Sequence, residues 1–329
     1  MKQYQAQESL KEVLRSDEYV VEILKSPSSS VDSGRALVVR VRGSGGARII
    51  KLYPLTDAPY CTSEYSRTSF LHNALADAGV STAEPIELRS GSRWIAGMYS
   101  YVEGKCLSTF ESPMQRTGYI MEAITMLAAV TRVPTASHRL EYSSDQATHY
   151  WSIDHGACGL PSLGACDYLQ EWEAVCQHVE SGHAEASELV QAVTAHARAA
   201  GGSSSHPGRL IHGDLNSDNV VVTESSLHLV DCGFAAVGDV FYEWGGLGAH
   251  LGVDGYDHVE RQALRWAQEE GGSASPEKFA LFTGLRALRR AAYLCDMRKR
   301  RGMDQHYIHE HLARQFETLR LVQGRLDGP

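Results

Sequence analysis

The stretch His212-Gly213-Asp214-Leu215-Asn216-Ser217-Asp218-Asn219 constrains this chain more than any other. An aspartate and an asparagine stand five apart in a short loop. The apolar run Val220-Val221-Val222 follows, and a second apolar segment, Leu227-His228-Leu229-Val230, delivers Asp231. That order of loop, strand, turn and strand is a hairpin carrying three oxygen-bearing side chains at its ends.

Upstream, the pattern is rich in strands. Leu10, Val13 and Leu14 recur at helical spacing among charges, which predicts a short amphipathic helix. Tyr19 to Leu24, Ala36 to Val41 and Arg48 to Tyr53 read as strands. The small polar run Ser26 to Gly34 joins the first two, and Gly43-Ser44-Gly45-Gly46 is a turn signal. Lys51 is flanked by apolar residues inside the third strand, where lysine is uncommon without a partner. Thr62 to Ala78 reads as a helix on which Glu64, Leu71 and Leu75 share one face. An unpaired carboxylate on a packed face is costly, so a Lys51–Glu64 pair relieves both anomalies. The alternative puts Lys51 on an edge strand and Glu64 in the first turn of its helix, where an acid suits the dipole.

Pro85 to Leu88 and Trp94 to Val102 read as further strands. At Ser112-Pro113 the pattern turns helical, with serine as N-cap and proline in the first helical position. Residues 135 to 166 read as irregular, and His149, His155, Cys158 and Cys166 match no standard zinc spacing. Helices are predicted at about 167 to 181 and 185 to 200, with Gly201 to Ser205 as a linker. The remainder is helical, with apolar stripes through Phe279, Phe282, Leu285 and Leu288, and through Leu312, Phe316 and Leu319. Arg298-Lys299-Arg300-Arg301-Gly302 reads as a helix C-terminus, with cations at the negative dipole end and a glycine cap.

Phosphoryl transfer from a nucleotide uses one carboxylate to receive a hydroxyl proton, and an amide plus a second carboxylate to hold Mg²⁺. Asp214, Asn219 and Asp231 supply those groups. Leu210 to Phe234 resembles the catalytic and metal loops of the aminoglycoside phosphotransferase and choline kinase superfamily, small-molecule relatives of the protein kinases. The resemblance covers about residues 15 to 250. A plain hairpin does not explain a strand lysine, a helix glutamate, His-Gly-Asp-x-x-x-x-Asn and Asp231-x-Gly, all in the family's order. The resemblance implies an α+β, protein-kinase-like two-lobe fold. A small antiparallel-sheet N-lobe would bind nucleotide over residues 1–103. A larger, mostly helical C-lobe would carry catalysis and substrate over residues 104–329.

By the same resemblance Lys51, held by Glu64, would bind the nucleotide phosphates. Ser100 and Val102 would present backbone groups to the adenine, with Tyr99 at the inner end of its pocket. Asp214 would be the catalytic base, and Asn219 and Asp231 would bind Mg²⁺. The loop 26–34 would lie over the phosphates, although by itself, without a G-x-G-x-x-G, it reads as a solvated hairpin loop. His212 reads as packing under the loop. Gly213 stands where protein kinases usually carry arginine, and no Ala-Pro-Glu segment follows Asp231; both favour a small-molecule kinase. Cys232 replaces an aromatic of many relatives and reads as a buried structural thiol. Gly238-Asp239-Val240-Phe241-Tyr242-Glu243 is similar to the family's Gly-Asp-x-x-x-Asp, with Glu243 replacing the aspartate that braces the catalytic loop. The hygromycin B phosphotransferases show a similar Gly-Asp-x-x-Tyr-Glu, and their length and N-terminal helix look alike too.

The implied activity is ATP- (or GTP-) and Mg²⁺-dependent phosphotransfer to a hydroxyl of a small molecule. An antibiotic or related natural product is the first candidate, for resistance or self-protection. A choline, homoserine or sugar kinase and a catalytically silent nucleotide-binding module are the alternatives. A formal net charge of −9 argues against a nucleic-acid partner and is compatible with a cationic antibiotic. Asp254, Asp257 and Glu260 could meet such a substrate or simply be solvated. Seven cysteines without a C-x-x-C pair read as reduced thiols of a cytoplasmic protein. The start reads as no signal peptide, and no apolar run reads as a membrane span.

Overall fold

The computed structural model describes residues 3–25, 36–75, 78, 80–130, 135–136, 141–143, 150–152, 160–182, 187–200, 208–271, 275–298 and 304–328. The chain opens with α1 (Gln3–Val13), β1 (Tyr19–Lys25), β2 (Leu37–Gly43) and β3 (Gly46–Pro54). Next come α2 (Ala58–Ala74), β4 (Val80–Thr82), β5 (Pro85–Ser90) and β6 (Trp94–Ser100). One antiparallel sheet, in the order β1-β2-β3-β6-β5, forms the N-terminal part. Alternation in β2 and β3 sends Leu37, Val39, Val41, Ile50 and Leu52 to one face, where they pack with Leu10 and Val13 of α1. The other face presents Lys51, which pairs in register with Val38 and Gly97.

The second part follows β7 (Lys105–Cys106). It is built from α3 (Pro113–Ala129), β8 (Thr135–Ala136), β9 (Glu141–Ser143), β10 (Tyr150–Ser152), β11 (Leu160–Pro161), α4 (Ala165–Gly182) and α5 (Ser187–Ala199). It continues with β12 (Arg209–Ile211), β13 (Val220–Val222), β14 (Leu227–Leu229), β15 (Ala236–Gly238), α6 (Phe241–Leu251), α7 (Tyr256–Glu269), α8 (Pro276–Arg298) and α9 (Gln305–Asp327). The fold is thus α+β, an antiparallel sheet followed by a mostly helical body. The expected hairpin is β13–β14, with Val221 opposite His228. β7 extends it on one side and β4 on the other, the latter parallel, so a strand from the N-terminal part joins the hairpin's sheet.

Several expected boundaries move. The helix expected over 62–78 spans Ala58–Ala74, because Pro59 sits in its first turn, where a missing N–H costs nothing. The N–H of Leu75 caps that helix on Leu71 O at 3.0 Å. The strand expected to reach Val102 ends at Ser100. Residues expected to be irregular before the fourth helix contain β8 to β11, with β9–β10 antiparallel and β8–β11 parallel. Ser112 caps α3 as expected, its hydroxyl accepting from Gln115 N–H at 3.3 Å. The loop 26–34, His149, His155, Cys158, the linker 201–205 and the cluster 299–302 lie outside the described residues.

A buried ion pair fastens α8 to the start of α6. Lys278 Nζ lies 2.5 Å from Asp239 Oδ2, and both side chains are buried. Asp239 Oδ1 accepts from Phe241 N–H at 3.0 Å. Replacing Lys278 with methionine strands a buried carboxylate, so Lys278→Met should destabilise the fold by about 3–5 kcal/mol, read as a lower urea midpoint at unchanged m-value. A midpoint equal to the parent's would show the pair to be dispensable.

Candidate active site

β3 points Lys51 at α2, and the Lys51 ammonium contacts the Glu64 carboxylate directly. It also reaches Asp231 Oδ1 at 2.9 Å. The other Glu64 oxygen accepts from the Tyr53 hydroxyl, so this carboxylate, 1% exposed, keeps a partner on each oxygen. Burial alone would lower the Lys51 pKa. The Asp231 and Glu64 carboxylates reverse that and hold it well above the ordinary lysine range.

Asp231 stands two residues past the end of β14 at φ 61°, the one described non-glycine residue with positive φ. Such a backbone is strained for a residue with a Cβ and persists where the surroundings enforce it. Its side chain remains 44% exposed and opens into the cleft. Cys232, next in sequence, is buried, and burial pushes its thiol well above the ordinary range.

The loop 212–219 is fixed by its own polar groups. Asp214 O accepts from Asn216 Nδ2 at 3.1 Å and from Asn219 Nδ2 at 2.8 Å. Asn219 Nδ2 also stands 3.4 Å from Asp214 Oδ2. Asn216 caps the turn by accepting from Asp218 N–H at 2.9 Å. His212 is fully buried with Nε2 3.0 Å from Val230 O. A carbonyl can only accept, so Nε2 carries the proton, and Nδ1 faces Asp214 N–H at 3.4 Å. The histidine joins the loop to the strand that delivers Asp231, the packing role read from sequence.

Gly213 is held from both sides. Its N–H donates to Glu243 Oε1 at 2.6 Å, so the glutamate, one methylene longer than the family's aspartate, still braces the loop. Its carbonyl accepts from Arg286 Nη1 at 2.7 Å, with Arg289 Nη1 at 3.4 Å. Gly213 has φ 81°, and a Cβ there would lie 2.4 Å from Phe234 O.

Arg286 and Arg289 were not singled out by sequence reasoning. Both belong to α8. Arg286 Nη2 stands 3.4 Å from Asp214 Oδ1, and its guanidinium covers the Tyr242 ring at 4.7 Å. Arg289 donates to the Tyr242 hydroxyl at 2.5 Å and lies 3.5 Å from the buried Glu171. The sequence signal was two arginines three apart beside the buried positions Leu285 and Leu288.

Lys51, Glu64, Ser100, Val102, Asp214, Asn219 and Asp231 all line one cleft of about 750 Å³. At one end its wall is apolar, with Ala36, Val38, Ile49, Val221 and Leu229 beside the strand end at Ser100 to Val102. Tyr99 borders this end too. Ser100 donates its N–H to Glu84 O and accepts from Glu84 N–H at its hydroxyl, both at 2.8 Å. At the other end stand side chains of α6, α8 and α9. Asp254, Asp257 and Glu260, weighed as contacts for a cationic substrate, do not line the cleft. Asp257 instead pairs with Arg325 at 2.5 Å, and Glu260 lies 3.9 Å from the same arginine.

Asn219 and Asp231 offer hard oxygen donors of the kind Mg²⁺ takes beside phosphate and water oxygens. Asn219 spends its amide nitrogen on Asp214, which leaves its Oδ1 for a cation. Among the described residues no cluster of three His, Cys, Asp or Glu side chains could hold a metal. No described helix is long and apolar enough to cross a membrane.

An antiparallel sheet set before a helical body, with a lysine–glutamate pair facing an Asp/Asn hairpin across a cleft, is the protein-kinase-like architecture. The chain belongs to the phosphotransferase enzyme family, whose model matches residues 30–282, more than half of its length. No curated protein matches it by sequence. Among solved structures it is similar to a thermostable mutant of aminoglycoside phosphotransferase APH(4)-Ia without ligand (TM-score 0.65, 12% identity, covering 97% of this chain and 98% of that one). A ternary complex of such a mutant with ADP and hygromycin B is also similar (TM-score 0.62, 12% identity, 94% and 95%). So is aminoglycoside phosphotransferase APH(3'')-Id from Streptomyces rimosus with ADP and streptomycin (TM-score 0.57, 15% identity, 88% and 99%). At these identities the likeness is one of fold.

Gly213→Ala forces a Cβ into the Phe234 carbonyl at a positive φ. It should cost about 1–3 kcal/mol of stability, seen as a lowered melting temperature; an unchanged one would show that the loop can shift. Native-state alkylation with iodoacetamide should label the exposed Cys166 and spare the buried Cys61 and Cys232. Label on Cys232 in the folded protein, located by peptide mass spectrometry, would contradict its burial.

Proposed function

We propose that this protein moves the γ-phosphate of ATP or GTP to a hydroxyl of a small molecule. The observation that carries the reading is the convergence of Lys51, Glu64, Asp214, Asn219 and Asp231 on one cleft. We assign nucleotide binding to residues 1–103 and catalysis with acceptor binding to residues 104–329. The base lies in the apolar end, with the Ser100 and Val102 backbone at its edge. Lys51, kept cationic by Glu64, meets the phosphates.

Asn219 and Asp231 would hold Mg²⁺, which when bound neutralises charge developing on the phosphate oxygens. Asp214 takes the acceptor hydroxyl's proton onto its carboxylate as that oxygen attacks phosphorus. Its side chain is 39% exposed and faces the cleft. Arg286 and Asn219 each flank one of its oxygens at 3.4 Å and fix its aim. Gly213, gripped by Glu243 and Arg286, keeps the loop from turning away. The enzyme acts in the cytoplasm, and the acceptor is a natural product, with antibiotics the first candidates for resistance or self-protection. The neighbours' complexes with hygromycin B and streptomycin support an acceptor of natural-product size.

A hydroxyl-compound panel with Mg²⁺ and ATP tests the activity through ADP release. If no compound stimulates release, the phosphotransferase reading fails and a silent nucleotide-binding module takes its place. Asp214→Ala should lower phosphoryl transfer by about 100-fold or more while ATP binding by calorimetry stays largely intact. Turnover equal to the parent's would remove Asp214 from its role.

A further inference from the structure

The acceptor end of the cleft is cationic. Arg290, Arg314, His250 and His311 line it, and apart from the catalytic Asp214 the carboxylate among them is Asp218. The remaining cleft acids, Glu64 and Asp231, are engaged with Lys51 at the nucleotide end. Arg286 and Arg289 are likewise committed to Gly213 O, Asp214 and Tyr242. Among the described residues Arg290 and Arg314 have no carboxylate partner, and Arg314 donates to Leu251 O at 2.8 Å.

The imidazoles report the same field. His250 and His311 both sit below the ordinary histidine range, first because the cleft desolvates them and then because Arg290 and Arg314 face them. Arg116 adds to the effect at His250; Asp218 opposes it there, and Glu310 opposes it at His311. Gln315, buried beneath the same wall, has a side-chain oxygen without a hydrogen-bond partner. It can accept from a hydroxyl.

Resting on the phosphotransferase reading, we propose that the acceptor is an anionic hydroxyl compound whose carboxylate or phosphate is bound by Arg290 and Arg314. The spacing fits. Arg286, which touches Asp214, and Arg290 are four apart on α8, so they share a face about 6 Å apart along the axis. An acid group held by the arginine pair therefore leaves a nearby hydroxyl of the same molecule within reach of the catalytic carboxylate. An aminoglycoside's ammonium groups would instead meet like charges, which selects against it. This departs from the cationic antibiotic expected from the family resemblance.

The test uses the full chain with its nucleotide site filled by Mg²⁺ and a non-hydrolysable ATP analogue. Inorganic phosphate, citrate and kanamycin are titrated separately, and the melting temperature is read. Phosphate or citrate should raise it and kanamycin should not; the larger of the two anion responses identifies phosphate or carboxylate as the preferred group. Arg290→Glu/Arg314→Glu should lose the anion response, and Arg290→Gln/Arg314→Gln guards against misfolding of the charge-reversed form. In turnover, Arg290→Gln should raise KM for an acidic acceptor about tenfold or more with KM for ATP unmoved. An anion response that persists in both double variants, no anion response in the parent, or a kanamycin response alone overturns the proposal. The ATP analogue's own stabilisation is read first. Its absence would sink the nucleotide-dependent reading, a failure separate from that of the anion arm.

Discussion

A single ionic contact organises the cleft: the Lys51 ammonium set between Glu64 and Asp231. Taking the Lys51 and Glu64 charges away from water costs several kcal/mol per ion and is offset only when each finds partners; Asp231, 44% exposed, adds a partner at the cleft side. Those partners come from three parts of the chain, β3, α2 and the segment after β14, so the contact exists only once the sheet, the helix and the hairpin are assembled. α2 serves this twice. Its Glu64 faces Lys51, while Leu71 and Leu75, about two and three turns on, enter the large core of the helical body. Arg67, fully buried on the same helix, donates to Ala235 O at 3.1 Å. Tilting α2 would therefore break the ion pair and the core together.

The opposite wall of the cleft is set by a peptide unit rather than a charge. The Gly213 N–H and C=O are taken by Glu243 and Arg286, from α6 and α8. With both polar groups engaged and φ confined to a region glycine tolerates, the loop has little freedom to rotate Asp214. Arg289, Tyr242 and Glu171 form a second row behind it, with the Tyr242 hydroxyl 2.9 Å from Glu171 Oε1. This support explains how Glu243 replaces a shorter acid: the loop's position depends on several donors and acceptors spread over three helices.

The Lys51–Glu64 contact and the Asp214–Asn219–Asp231 hairpin were legible because each broke a local rule. A lysine inside an apolar strand, a glutamate on a packed face and clustered polar residues before a valine run are all improbable as ordinary packing. The helical wall was not legible in the same way. Arginine is ordinary on a helix, and whether Arg286 points at solvent or at the Gly213–Asp214 loop depends on the packing of α6 against α8, which no local pattern encodes. The start of α2 was missed because apolar periodicity begins after the first turn, while Pro59 marks it by chemistry instead. β8 to β11 were missed because strands of two or three residues are too short for alternation to show.

The division between the two walls has a consequence for specificity. Lys51, Asp214, Asn219 and Asp231 are tied into shared ion pairs and hydrogen bonds, so one change disturbs several contacts. One turn further along α8, Arg290 has no such ties among the described residues, and across from it Arg314 on α9 donates to the Leu251 carbonyl. Changing such residues alters which acceptor is attracted without disturbing Asp214 or Lys51. A fold of this kind can therefore keep its chemistry while the charge of its acceptor reverses. For that reason the charge on α8 and α9 says more about the acceptor of this chain than the ligands of neighbours 12% and 15% identical to it.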